Sequence, residues 1–231
     1  YMLEYALNLR AMKCGVLGTI DHHLGEVVWN SGLTTPDPIS LQRRIFEMKQ
    51  LGAQAIAMEV SSHALEQKRA HSILFDRVIF TNLTQDHLDY HKSMEEYFRA
   101  KQILFTDLLH ENPKFPLFAI VNIDDFYGRK LKVSHRAGIF TYGSSQSADC
   151  QFSIESIDFS GTSFSLRIPE VLGEEKLTSH IPLIGQHNVA QGIKWLSIPE
   201  EAGFIDRQRF GHAIRQDGVR AALEFSHQSR N

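Results

Sequence analysis

Four side chains able to ligate a cation fall within six residues, Asp86, His87, Asp89 and His91, in the stretch FTNLTQDHLDYHKSMEEYFRAK, which ends on Lys101. Two carboxylates and two imidazoles at that spacing suggest a bound metal, although polar loop residues facing water have the same composition. His87 is the preferred ligand, because it follows a predicted strand end at Asn82 by a short loop and can reach the space above Glu59. Imidazole is an uncommon partner for magnesium but can complete its shell. Asp86, Asp89 and His91 are expected to orient it, with loop capping the plainer role for the two aspartates.

Glu59 ends the apolar run AQAIAMEV. A carboxylate there costs desolvation unless a cation or hydrogen-bond donors face it. Magnesium would satisfy it, since that ion takes few protein carboxylates and fills out its shell with water and phosphate. Pairing with Arg69 or capping the next turn is the alternative, and the residue alone does not choose. Ser61, Ser62 and His63 resemble a nucleophile and base, but they lack a G-x-S-x-G elbow and adjacent turn residues do not readily form that geometry. With Gln67 and Arg69 close by, the hydroxyls suit an anion or a sugar better, Arg being a planar fork for phosphate or carboxylate; a solvated loop accounts for them equally well. Thr34, Thr35 and Pro36, in SGLTTPDP, either take an anion before a helix or make an ordinary turn. Lys101 falls on the buried-leaning side of its helix among Tyr97, Phe98, Leu104 and Phe105. Snorkelling is the usual reason. The other is an amine of depressed pKa, which carbon dioxide can carboxylate into a metal-holding acid.

These residues need a scaffold that places them together. Apolar runs alternate with helical patterns: CGVLGTI, AQAIAMEV, RVIFTNL, LFAIVNID and AGIFTYG as strands, and SLQRRIFEMKQLG and SMEEYFRAKQILFTDLL as helices. Ser40 is the expected N-cap of the first of these helices, with Gly52 as its stop; Ser93 and Glu96 form a capping box on the second. A short helix is expected between residues 125 and 133. The alternation predicts an α/β fold, a mostly parallel sheet flanked by helices, with function at the carboxyl ends of the strands. From Cys150 the pattern changes to polar–apolar alternation, which predicts an antiparallel hairpin region near 150–184. The chain opens at Tyr1 in a helical pattern without a cap, and a preceding segment is therefore expected.

A net charge of -3 and the lack of a basic run with interleaved aromatics exclude a nucleic-acid footprint. No apolar run is long enough to span a bilayer. Cys14 and Cys150 read as reduced thiols. A cytoplasmic monomer is expected.

Taken together, GLTTPDP, AMEVSSHALEQKRA, FTNLTQDHLDYHKSMEEYFRAK, VNIDD and IGQHNV resemble the Mur ligases, in family order, over residues 1 to about 195. The nearest branch is the one adding the third residue of the peptidoglycan stem peptide. The resemblance implies a P-loop-like central domain over residues 1–195 and a non-matching tail over 196–231. It implies ATP-dependent amide formation: ATP phosphorylates a carboxyl of UDP-N-acetylmuramoyl dipeptide, and an amino acid, diaminopimelate or lysine, displaces the phosphate. By position, Glu59, His87 and a carboxylated Lys101 would hold Mg2+, His87 and Lys101 serving catalysis; Thr34, Thr35, Ser61, Gln67 and Arg69 would contact the nucleotide-sugar peptide; and Asn188 would lie by the adenine of ATP.

The chain departs from the family pattern in three places. It contains no Gly-Lys pair, hence no phosphate loop ending in Gly-Lys-Thr, Leu33 stands where relatives often carry Asn, and Gln191 replaces a second Asn. The chain is therefore expected to be inactive alone. Two alternatives stay open: a metal-dependent hydrolase using His87, Asp89 and His91, and a non-catalytic muropeptide-binding module.

Overall fold

The computed structural model describes residues 1–8, 10–85, 90–168, 175–181, 185 and 189–190. Two sheets carry the fold. The first runs β3-β2-β1-β4, built from β1 (Cys14–Leu17), β2 (His22–Leu24), β3 (Val27–Trp29) and β4 (Ala55–Met58). β1 and β4 are parallel, with Cys14 opposite Ala55 and Leu17 opposite Met58. The second runs β10-β9-β8-β7-β6-β5, from β5 (Arg77–Phe80), β6 (Leu117–Asn122), β7 (Ala137–Gly143), β8 (Cys150–Asp158), β9 (Gly161–Ile168) and β10 (Glu175–Ile181).

β5, β6 and β7 are parallel, β7 touches β8 in parallel through only two residue pairs, and β8, β9 and β10 are antiparallel. The α/β expectation and the hairpin region after Cys150 both hold. A second antiparallel hairpin, β2–β3, is absent from the sequence reading. It turns at Gly25, whose φ of +58 is a left-handed value that glycine adopts without a Cβ penalty. The sheets are thus mixed, with parallel pairing toward the β4 edge of the first and the β5 edge of the second.

Helices cover these strands: α1 (Met2–Asn8), α2 (Pro38–Gln50), α3 (Ser62–Glu66) and α4 (Met94–Gln102). α2 begins earlier than expected. Asp37, not Ser40, is its N-cap, accepting from Ile39 N and Ser40 N, and Pro38 opens the helix with the φ it already prefers. α4 starts as expected, with Ser93 Oγ accepting from Glu96 N, and it passes into a π-helical turn at Leu104–Leu108. The helix between residues 125 and 133 shortens to one 3-10 turn, Gly128–Lys130. Three apolar clusters hold the layers together. One packs Leu17, Leu24, Leu41 and Met48 between the first sheet and α2. A second packs Leu65, Val78, Phe80, Tyr97, Phe105, Ala119 and Val121 between the second sheet, α3 and α4. The third sets Ala6 of α1 against Ile120, Tyr142 and Phe152.

α1 is also tied to the β1–β2 corner by polar groups. His23, only 7% exposed, places Nδ1 2.6 Å from Asp21 Oδ1 and Nε2 2.9 Å from Glu4 Oε2, while the Tyr1 hydroxyl donates to Asp21 Oδ1 at 2.8 Å. Burial opposes a charge on the ring, but the bonds to Glu4 and Asp21 outweigh it and hold His23 above the ordinary imidazole value of 6.5. The folded ring therefore binds its proton more tightly than the unfolded one. That stabilisation is complete below the unfolded value and is lost as pH rises through the higher folded value. Melting temperature is expected to fall across that window, and His23→Gln is expected to flatten the fall. A variant with an unchanged profile would show that the ring is neutral in the fold.

Candidate functional site

The chain leaves β4 at a rim where the ladder ends. Glu59 N makes the last sheet-like bond, to Leu17 O at 2.8 Å. The next polar groups of the backbone have no strand to pair with, and side chains from distant segments take their place. Thr35, fully buried, donates through Oγ1 to Glu59 O at 3.0 Å and accepts from Ser61 N at 3.1 Å. Lys101 Nζ donates to Val60 O at 3.0 Å. Arg69 Nη1 donates to Thr35 O. Ser61 Oγ then accepts from Ala64 N and caps α3. One turn is thus held by groups from the loop before α2, from α4 and from the segment after α3.

The Glu59 side chain lies exposed at the same rim. Its Oε2 accepts from Thr19 N at 2.9 Å and Thr19 Oγ1 at 2.6 Å, and Thr19 Oγ1 sits 3.1 Å from Thr34 Oγ1. The Glu59–Arg69 pairing open in the sequence is not formed; each side chain has another partner. Lys101 is half-buried with Nζ 5.9 Å from the centre of the Tyr97 ring. Burial pushes its ammonium below the usual lysine range, and the Glu59 charge pulls part of the way back. A lysine so placed has a larger share of free amine at neutral pH, and free amine is the form that reacts with carbon dioxide.

The structure therefore brings Thr34, Thr35, Glu59, Ser61, Arg69 and Lys101 to one turn. Gln67 caps the end of α3 with its side chain exposed. His87 and Asn188 lie outside the described residues, as do Asp86, Asp89 and Gln191. Among the described residues no group of three His, Cys, Asp or Glu side chains is arranged to hold a metal. His91 is buried, with Nε2 2.7 Å from Ser62 Oγ, Nδ1 3.8 Å from Glu66 Oε1 and its ring stacked on Tyr97 at 5.1 Å. It pins α3 to α4.

Thr19 goes unnoticed in the sequence at this rim, and Ser62 is noticed there only as a nucleophile candidate. Thr19 carried a usable signal, a hydroxyl two residues past the end of β1 and so at the carboxyl edge of a strand. Ser62 gave none beyond its failed reading as a nucleophile. An open depression of about 620 Å3 lies elsewhere, lined by Asp124, Arg129, Thr141, Ser144 and neighbours. Asp124 accepts from Ser144 N and Oγ, and Arg129 donates to Ile123 O and Asp124 O, so its charged groups already hold loops together.

Comparison with known proteins gives one consistent result. Residues 1–190 match the family model of the Mur ligase middle domain. The UDP-N-acetylmuramoyl-L-alanyl-D-glutamate--2,6-diaminopimelate ligase of Geobacter metallireducens is 40% identical over 190 residues, 82% of this chain and 36% of that protein. The enzyme of the same name from Streptomyces coelicolor is 32% identical over 224 residues, 97% of this chain and 43% of its own, so that match runs past residue 195. A solved structure under that name superposes with a TM-score of 0.76 at 26% identity, covering 92% of this chain and 42% of the other. The chain spans less than half the length of each of these relatives.

The turn's dependence on one hydroxyl is measurable. Thr35→Val keeps the shape and leaves Glu59 O and Ser61 N without their partner, a loss of about 1–3 kcal/mol. Urea denaturation is expected to show it, with Thr35→Ser close to the parent. Equal stability of the valine variant would mean that water replaces the hydroxyl at both groups.

Proposed function

This chain belongs to the Mur ligase family through its middle domain, and from that premise we propose that it is the phosphoryl-transfer portion of an ATP-dependent, amide-forming ligase of peptidoglycan synthesis. The substrate we propose is UDP-N-acetylmuramoyl dipeptide, with 2,6-diaminopimelate, the amino acid named for the relatives, as the incoming amine. Residues 1–195 would be the domain and 196–231 a distinct tail; the family match ending at 190 favours that division, and the Streptomyces relative's longer alignment runs against it. A cytoplasmic monomer is the proposed setting. Among the described residues no helix is long and apolar enough to cross a membrane.

The observation that carries the reading is the placement of Glu59 and the Lys101 amine at one turn. Glu59, His87 and a carboxylated Lys101 would hold Mg2+, and the described donors fit that ion. Glu59 keeps Oε1 free of hydrogen bonds among the described residues, and magnesium needs only one or two protein carboxylates beside water and phosphate. An unmodified ammonium beside it would repel the ion, and a carbamate would not. When bound, the ion neutralises phosphate charge during transfer of the phosphoryl group.

The remaining roles fall to the chain's own groups. Thr34, Ser61, Gln67 and Arg69 would contact the nucleotide-sugar peptide, while Thr35, buried and already bonded to Glu59 O and Ser61 N, would hold the turn beneath them. Arg69 is suited to a carboxylate, because its buried Nε has no hydrogen-bond partner among the described residues while Nη1 is fixed on Thr35 O. Asn188 would lie by the adenine. No Gly-Lys pair is present to cradle a triphosphate, so we propose that this stretch does not catalyse the reaction by itself.

Two measurements test the reading. In 13C-bicarbonate, a carbamate carbon signal is expected in the parent and absent in Lys101→Arg; its absence from both would remove Lys101 from metal binding. Calorimetry is expected to find feeble magnesium-ATP binding by this chain. Tight binding would overturn the proposal that this stretch does not catalyse the reaction by itself.

A further inference from the structure

Proton accounting at the rim assigns direction to its hydrogen bonds. A carboxylate only accepts, so the single proton of Thr19 Oγ1 is committed to Glu59 Oε2, 2.6 Å away. The 3.1 Å contact between Thr19 Oγ1 and Thr34 Oγ1 then has one possible donor, Thr34. The hydroxyls form a one-way relay, Thr34 to Thr19 to Glu59. Thr19 N also donates to Oε2, at 2.9 Å, so both lone-pair positions of that oxygen are taken. Among the described residues nothing donates to Oε1.

We propose that Thr19 is a positioning residue that restricts Glu59 to offering one oxygen to a divalent cation, and that Thr34 completes the relay from the GLTTP loop. The inference rests on Glu59 being a cation ligand, as proposed above. A single oxygen suits the small octahedral shell of magnesium. Calcium, which commonly takes carboxylates through both oxygens, loses that mode while Oε2 is saturated. The relay thus discriminates between the two ions. It also leaves Thr34 with only lone pairs to offer outward, so the ligand group meeting it is a donor, an amide N–H or a sugar O–H, and not an anionic oxygen. Any acceptor docking there has to draw the Thr34 proton away from Thr19 Oγ1, which breaks the first link of the relay.

Two experiments on the whole chain separate this inference from the reading beneath it. The first needs no metal. Thr19→Val, Thr34→Val and the double variant form a cycle read by urea denaturation, and a coupling of about threefold in the unfolding equilibrium constant is expected. Additive effects would overturn the relay whatever the chain binds. The second titrates Mg2+ and Ca2+ separately by calorimetry. Thr19→Val frees one position on Oε2 and is expected to shift the Mg2+/Ca2+ affinity ratio about tenfold toward calcium, while Thr19→Ser restores the parent ratio. A parent that prefers magnesium beside a valine variant with the same preference would refute the assignment of Thr19. A parent that binds neither ion would refute the metal role of Glu59 and with it the discrimination claimed here, leaving the relay to the first experiment.

Discussion

Everything at this rim follows from one constraint: a backbone that leaves a sheet still has to satisfy its polar groups. Past Glu59 the chain has carbonyls and N–H groups that no neighbouring strand can reach. Thr35 answers Glu59 O and Ser61 N with a single hydroxyl, Lys101 answers Val60 O, and Arg69 closes back on Thr35 O. Each group comes from a different segment, so satisfying one turn collects side chains that are up to 66 residues apart in sequence, from Thr35 to Lys101. The site is a by-product of backbone pairing. That is also why its polar residues are poor candidates for casual substitution: removing one orphans a partner rather than merely losing a contact.

The scaffold supplies rigidity where the turn needs it. α3 has only five residues and α4 nine, too short to be stable as isolated helices. Their order comes from packing. Leu65 and Tyr97 are buried in the cluster that covers β5 and β6, and His91 lies between the two helices, bonded to Ser62 and stacked on Tyr97. Tyr97 stands one turn before Lys101, so the same contact that joins the helices sets where the lysine begins its reach toward Val60. A polar histidine in that position costs desolvation that the hydroxyl bond offsets, and the bond gives the packing a direction that an apolar residue would not.

What the sequence made legible depended on whether the cause was local. The Ser93 cap and the strands around residues 55–58, 77–80 and 117–122 rest on neighbouring residues and were readable. Asp37 and not Ser40 caps α2, and Pro38, which marks the first helical position, points to the residue before it. The β2–β3 hairpin is hard to read because its strands have three residues each and the buried one reads His-His-Leu; burial of His23 depends on Glu4 approaching through the fold. Glu59, Ser61 and Lys101 could be singled out by residue type; the strand-end hydroxyl of Thr19 was visible too, but not its partner forty residues away. Residue types suggest which groups can do chemistry, and tertiary pairing decides which of them meet.

Lys101 shows how one contact can serve two states of the site. As an amine it donates to Val60 O, and burial works against its charge while Glu59 works for it. Burial leaves this amine more open to carbon dioxide than a solvated lysine would be. In the proposed carboxylated form the nitrogen keeps one N–H, because a carbamate replaces only one of the two amine hydrogens. That remaining hydrogen can stay on Val60 O. With it fixed there, the planarity of the carbamate leaves its two oxygens little rotational choice, and the backbone carbonyl that a lysine merely satisfies becomes the group that aims an acid. A carboxylate built from glutamate at position 101 would be shorter and would have no hydrogen to give, so Val60 O would lose its partner. The modification, on this argument, supplies an acid without breaking the turn that the rest of the rim depends on.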